Sequence, residues 1–222
     1  MAVTYYFAPS WFIIFGIIFE ALFAIILISI SLIAYKFYRV SKQEKLKLFS
    51  LAFGSIALYY LIKSLINANL LTSGDITRAQ LLDLGQLSLF AHIFFMLAGL
   101  VILLYISLNV KNSRLFSLLI VIIFLTAFIS RNSIAIFYSI STVLLSYICL
   151  HYYESYKKKP QRNNLIVFIA FLLLLIANLD FIFSIQHPIL TVIGHFIEFT
   201  SYTLFLINLI FVLKKWKLKE IV

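Results

Sequence analysis

The chain has 222 residues, of which 64% are hydrophobic and 12% charged, and its net charge is +10. A soluble domain carries roughly 25% charged residues, so a water-soluble fold of this chain would leave its Leu, Ile and Phe on its own surface. The apolar residues also come in runs of about 20, which match a hydrocarbon core of about 30 Å. The expectation is therefore one all-α membrane domain over residues 1–222, without a second, soluble domain.

Seven spans are predicted. The first, Trp11–Tyr35, has no basic stretch ahead of it and is too long for the core of a signal peptide, so it is taken as a retained helix. Lys47–Leu71 and Leu84–Asn109 follow. Spans four and five, Leu115–Ser130 and Ser133–Tyr153, are separated by Arg131 and Asn132 alone. If that pair were one re-entrant element, the count would fall to five, with the termini still on opposite sides. Leu165–Ser184 and Ile189–Leu213 complete the set, and Gly74 and Pro160 mark two of the turns.

Charge sets the expected orientation. Lys36, Arg39, Lys42, Lys45 and Lys47 follow span one, Lys111 and Arg114 follow span three, and Lys157, Lys158, Lys159 and Arg162 follow span five. The tail adds Lys214, Lys215, Lys217 and Lys219, whereas the opposite side has Arg78 and Arg131. Cytoplasmic loops are enriched in Lys and Arg, which places the N-terminus outside and the C-terminus in the cytoplasm of a cell membrane. The same distribution accounts for the positive charge without nucleic acid, and Lys157–Lys159 also suits anionic lipid.

Ionisable and amide side chains recur at one depth. Counted from the outer end of each span, Glu20, Lys63, Asn67, His92, Asn178, Asp180, His195 and Glu198 fall in the outer half of the membrane, in a slab of roughly 8 Å at 1.5 Å per residue. Their neighbours at three- and four-residue spacing are small or polar, as in Gly16, Glu20, Ala24 and in Thr191, His195, Glu198, Tyr202. Such seams mark the faces on which membrane helices touch. The eight are therefore expected to line one pocket inside the bundle. Each charge costs about 2.5–3.5 kcal/mol at a span centre, and ionisable groups there are functional candidates by default.

Three readings compete. In the first, the pocket takes a proton, an ion or a small ligand in a sensor, a transporter or a subunit of a larger membrane complex, with His92 and His195 titrating near neutral pH. In the second, His92, His195 and Glu198 are metal ligands, two histidines and a glutamate being a known catalytic zinc set. Iron is an alternative there, and the two histidines are also candidate axial ligands of a haem. In the third, Lys63–Glu20 and His195–Asp180 are interhelical pairs that only fix helix order.

Other signals carry less. The seven-span plan is similar to that of rhodopsins and G-protein-coupled receptors, but the last span has no lysine before Lys214, and the receptor motifs of spans three and seven are absent. The lone Cys149 excludes a disulfide within the chain and reads as packing, His151 as an interface anchor and His187 as a loop residue. The 23 Phe residues read mostly as lipid-facing bulk. No phosphate loop or Ser/His/Asp arrangement is present.

Overall fold

The computed structural model describes residues 9–72, 78–108, 133–184 and 186–220, together with Ser117, Ile120, Val121 and Leu125. It is all helical. A 3-10 turn, Ser10–Phe12, leads into α1, Ile13–Ser41. Next come α2, Glu44–Thr72, and α3, Arg78–Ala91, which continues through a π-helical segment, His92–Met96, into α4, Leu97–Leu108. The remaining helices are α5, Ser133–Lys158, α6, Arg162–Phe183, and α7, Ile189–Glu220. Six helices, with α3 and α4 counted as one, are long and apolar enough to cross a membrane. They correspond to predicted spans one to three and five to seven. The fourth, Leu115–Ser130, and the turn at Gly74 lie outside the described residues, apart from the four isolated positions.

Several helices run past their predicted ends. The first loop was expected to carry Lys36 and Arg39, yet both belong to α1, and the turn is reduced to Lys42 and Gln43. Lys and Arg are good helix formers whose long stems reach water from a helix end, so the helix has no reason to stop at the membrane boundary. Lys42 itself ends α1 in the left-handed conformation, φ 56°, with its N–H donating to the Tyr38 carbonyl at 2.8 Å.

Neighbours in the chain are neighbours in space. α1 packs on α2, α2 on α4, α4 on α5, α5 on α6 and α6 on α7, and α7 returns to α1, closing a ring. The contacts fix the directions. Glu20 meets Lys63 and Ser31 meets Ser50, so α1 and α2 are antiparallel. Tyr59 meets His92 and Ala52 meets Gly99, so α2 and α4 are also antiparallel. In α5 and α6, Tyr138 meets Asn178 and Tyr152 meets Phe171; in α6 and α7, Phe171 meets Phe205 and Phe181 meets His195. Both pairs are antiparallel. Two pairs run parallel instead. His92 lies against Phe137, while Ser107 lies by Tyr152 at the other end of α4 and α5. Likewise Phe12 lies against His195, while Phe23 lies against Tyr202, along α1 and α7.

The outer surface is apolar. Ile14, Ile18, Ile25 and Leu32 of α1 are exposed, as are Leu51, Leu58 and Leu65 of α2 and Ile189, Ile193 and Phe196 of α7. A helix in water would not turn such rows outward; a helix in lipid does so at no cost. Phenylalanine is not confined to this surface, contrary to the expectation of lipid-facing bulk. Phe12, Phe23, Phe53, Phe137, Phe171 and Phe205 are buried, and Phe171 packs edge-on against Phe205 at 4.7 Å between centroids. Large rings suit the middle of a helix ring, because they reach across a space that aliphatic side chains leave open. Cys149 packs in this core, as expected.

Where backbones come close, the residues are small. A Cβ on Gly99 would stand 2.5 Å from Ile56 Cγ1 and 2.8 Å from the Ala52 carbonyl oxygen, so α2 and α4 touch here through glycine and alanine. Gly99→Ala is expected to cost about 1–3 kcal/mol by overpacking, read as a lower Tm of the purified protein. Hydroxyls bind other helices together. Ser31 and Ser50 each donate to the other's carbonyl at 2.8 Å, and Ser201 of α7 donates to Ala170 O of α6 at 2.8 Å.

Candidate functional site

The helix directions bring one end of each described span to the same end of the bundle. Glu20 lies two turns inside the start of α1, Lys63 and Asn67 near the end of α2, His195 and Glu198 near the start of α7 and Asn178 near the end of α6. The opposite end holds the Lys- and Arg-rich termini of α1, α5 and α7 and the start of α2.

Glu20 is the hub of one polar group. Its side chain is buried, and Lys63 Nζ reaches Oε1 at 3.0 Å while Asn67 Nδ2 donates to Oε2 at 2.8 Å. Lys63 and Asn67 are one helical turn apart on α2, so both present to the same face. Lys63 Nζ also stands 5.7 Å from the centroid of the Tyr59 ring. This is the one ion pair between different helices among the described residues. Its two members differ in exposure: 5% for the Glu20 side chain and 27% for Lys63.

Glu198 anchors a second group. The Tyr60 hydroxyl from α2 and the Tyr202 hydroxyl from the next turn of α7 both donate to its Oε1, the latter at 3.1 Å. The two phenolic oxygens are themselves 3.3 Å apart, and either is able to donate to the other. Tyr202 is fully buried, and Tyr60 and Glu198 nearly so. Among the described residues Glu198 belongs to no ion pair, although Lys63 and Glu20 both lie within electrostatic reach of it.

The histidines have separate surroundings. His195 is buried among Phe12, Phe19, Phe23 and Phe181, with ring centroids 5.3–6.2 Å away. Its Nδ1 lies 2.7 Å from the Thr191 carbonyl, which can only accept a hydrogen bond and so assigns the hydrogen to that nitrogen. His92 opens the π-helical segment and packs against Tyr59 at 4.3 Å and Phe137 at 4.2 Å. Ser55 donates to Phe95 O in the same segment at 2.8 Å, giving a carbonyl of the widened turn a donor from α2. Such segments often mark functional positions.

The eight predicted residues thus fall into distinct sets. Glu20, Lys63 and Asn67 are bonded together. Glu198 is bonded to tyrosines beside them. Asn178 turns to α5, donating to Thr142 Oγ1 at 2.6 Å and Tyr138 O at 3.1 Å. Asp180 is half-exposed, has a buried Oδ2 without a partner, and makes no ion pair with His195 among the described residues.

The metal set does not assemble. Among the described residues no group of three His, Cys, Asp or Glu side chains could hold a metal ion. Glu198 bonds to two phenols, His195 Nδ1 to the Thr191 carbonyl, and His92 packs between the Tyr59 and Phe137 rings. The described ring contacts of His92 and His195 have no member in common.

Sequence spacing alone does not place Tyr60 and Tyr202 in the site. The signal was present, since Tyr202 is four residues from Glu198 and Tyr60 three from Lys63, but a tyrosine on a seam also reads as packing. The aromatic surroundings of His195 had no such signal, because they join three helices. No family model, curated protein or solved structure matches the chain.

Proposed function

We propose that this is a multi-pass protein of a cell membrane that crosses the bilayer seven times, with the N-terminus outside and the C-terminus in the cytoplasm. Helix direction supports the seventh crossing. The parallel run of α4 and α5 fits one further crossing between them in the chain. The parallel α1 and α7 also fit an odd number of crossings. Ser117, Ile120, Val121 and Leu125 are helical, and Ile120 packs against the core. The positive residues of the far end supply the orientation. In a Cys149→Ala background, a membrane-impermeant maleimide should label Asn132→Cys on intact cells and Ser113→Cys only after permeabilisation. Labelling of both from one side would remove the seventh crossing.

The cluster at the outer end is a binding site for a proton, an ion or a small polar ligand, in a sensor, a transporter or a subunit of a larger membrane assembly. One observation carries this reading. Glu20, Lys63 and Glu198, from three helices, are gathered at one depth of the bundle, and they include a carboxylate without a cation directly on it. Intramembrane charge is costly and is retained chiefly for function. The test is thermal unfolding of the purified protein against a panel of small ions, organic acids and amines, and pH. A shift in Tm that disappears in Lys63→Met supports the site. If no member of the panel moves Tm, the cluster only fixes helix order.

A further inference from the structure

We propose that the ligand of this site is a proton, held on Glu198 against the hydroxyls of Tyr60 and Tyr202. The inference rests on the reading of the cluster as a binding site and names what it binds. Charge balance is the first argument. Lys63 already has a carboxylate, Glu20, in direct contact at 3.0 Å. With both glutamates ionised and the histidines neutral, Lys63, Glu20 and Glu198 sum to one negative charge. A proton on Glu198 makes the sum zero, and an unbalanced charge in a membrane interior is the costly state.

Geometry is the second argument. Tyr60, Tyr202 and Glu198 form a closed triangle of oxygens, each in contact with the other two. When Glu198 is ionised, both phenols donate to Oε1. When it is protonated, the carboxyl O–H donates to one phenol, and that phenol turns its own hydrogen to the other across the 3.3 Å contact. Both states are satisfied without moving a heavy atom. The only bond made is the carboxyl O–H; the proton comes from the aqueous phase and returns to it, and no electron changes hands.

The groups facing Glu198 are few. Lys63 and Tyr60 stand on α2, Glu20 on α1 and Tyr202 on its own helix, with Tyr138 of α5 also in electrostatic reach; His195, one turn before Glu198, packs instead among Phe12, Phe19, Phe23 and Phe181. On α6 the titratable group is Asp180, which makes no ion pair among the described residues. Lys63 therefore sets the field at Glu198 and does so jointly with Glu20. A change at either residue of that pair should move the midpoint of the Glu198 titration.

Infrared difference spectroscopy of the full chain in lipid vesicles, stepped between about pH 5 and about pH 8, reads the carboxyl proton directly. The expected result is a protonated-carboxyl C=O band that grows on acidification, is lost in Glu198→Gln, and moves to higher frequency in Tyr202→Phe as one hydrogen bond is removed. No pH-dependent band, or a band unchanged in Glu198→Gln, overturns the proposal. Should Glu198→Gln fail to fold, the Tyr202→Phe shift decides alone, and an unshifted band overturns it. If the band is absent while the thermal panel reveals another ligand lost in Lys63→Met, the site stands and only the proton falls. If both are silent, the binding reading itself falls.

Discussion

Lys63→Met is expected to destabilise the protein by about 3–5 kcal/mol, the range for leaving one member of a buried ion pair without its partner. The stranded group is Glu20, whose side chain is 5% exposed and keeps Asn67 as its remaining donor. Glu20→Gln should cost clearly less. Lys63 is 27% exposed, and its long stem can carry the ammonium outward to the membrane surface. The order of the two effects is thus informative in itself. Thermal or denaturant unfolding of the purified variants, in one detergent, measures both. Equal costs would mean that Lys63 is held as rigidly as Glu20.

Tyr202→Ala is expected to cost about 3–5 kcal/mol, as for other large rings deleted from a core. Tyr202 is fully buried and contacts Phe23 at 5.6 Å and Tyr60 at 6.0 Å between ring centroids. Comparison with Tyr202→Phe separates ring from hydroxyl. The phenylalanine variant keeps the packing and loses one hydrogen bond to a carboxyl group, worth about 1.5–3 kcal/mol when the group is charged and less when it is neutral. Measured at two pH values, the cost of Tyr202→Phe should be smaller where Glu198 carries a proton. A cost independent of pH would leave the hydroxyl with a purely structural role.

Much of this architecture was legible in the residues. Runs of about twenty apolar residues locate the spans because the bilayer thickness sets their length, and the six described spans fall where those runs lie. Helix ends were less legible. The apolar run ends before Lys36 and Arg39, although nothing prevents a helix from continuing past it, and α1 runs on to Ser41. The pairing of Lys63 with Glu20 followed from matched depth and from seams of small residues. Depth alone does not fix which way a group turns within its seam. Asn178, predicted beside Asp180 in the pocket, turns to Thr142 and Tyr138 O instead. His92, His195 and Glu198 share a depth without sharing a centre, because each finds a nearer partner that spacing does not reveal. Tyr60 and Tyr202 were missed for the opposite reason: a phenol is both a packing ring and a polar handle, and only the fold says which end is used.

The most direct measurement is an exchange of the two charges that join α1 and α2. Glu20→Lys alone and Lys63→Glu alone each set like charges against one another in the bundle, and both should unfold at markedly lower temperature than the parent. The doubly exchanged protein should recover most of that loss, since the ion pair is rebuilt with its direction reversed. A double variant no more stable than the worse single one would mean that these side chains do not meet inside the membrane, and the site described above would lose its hub.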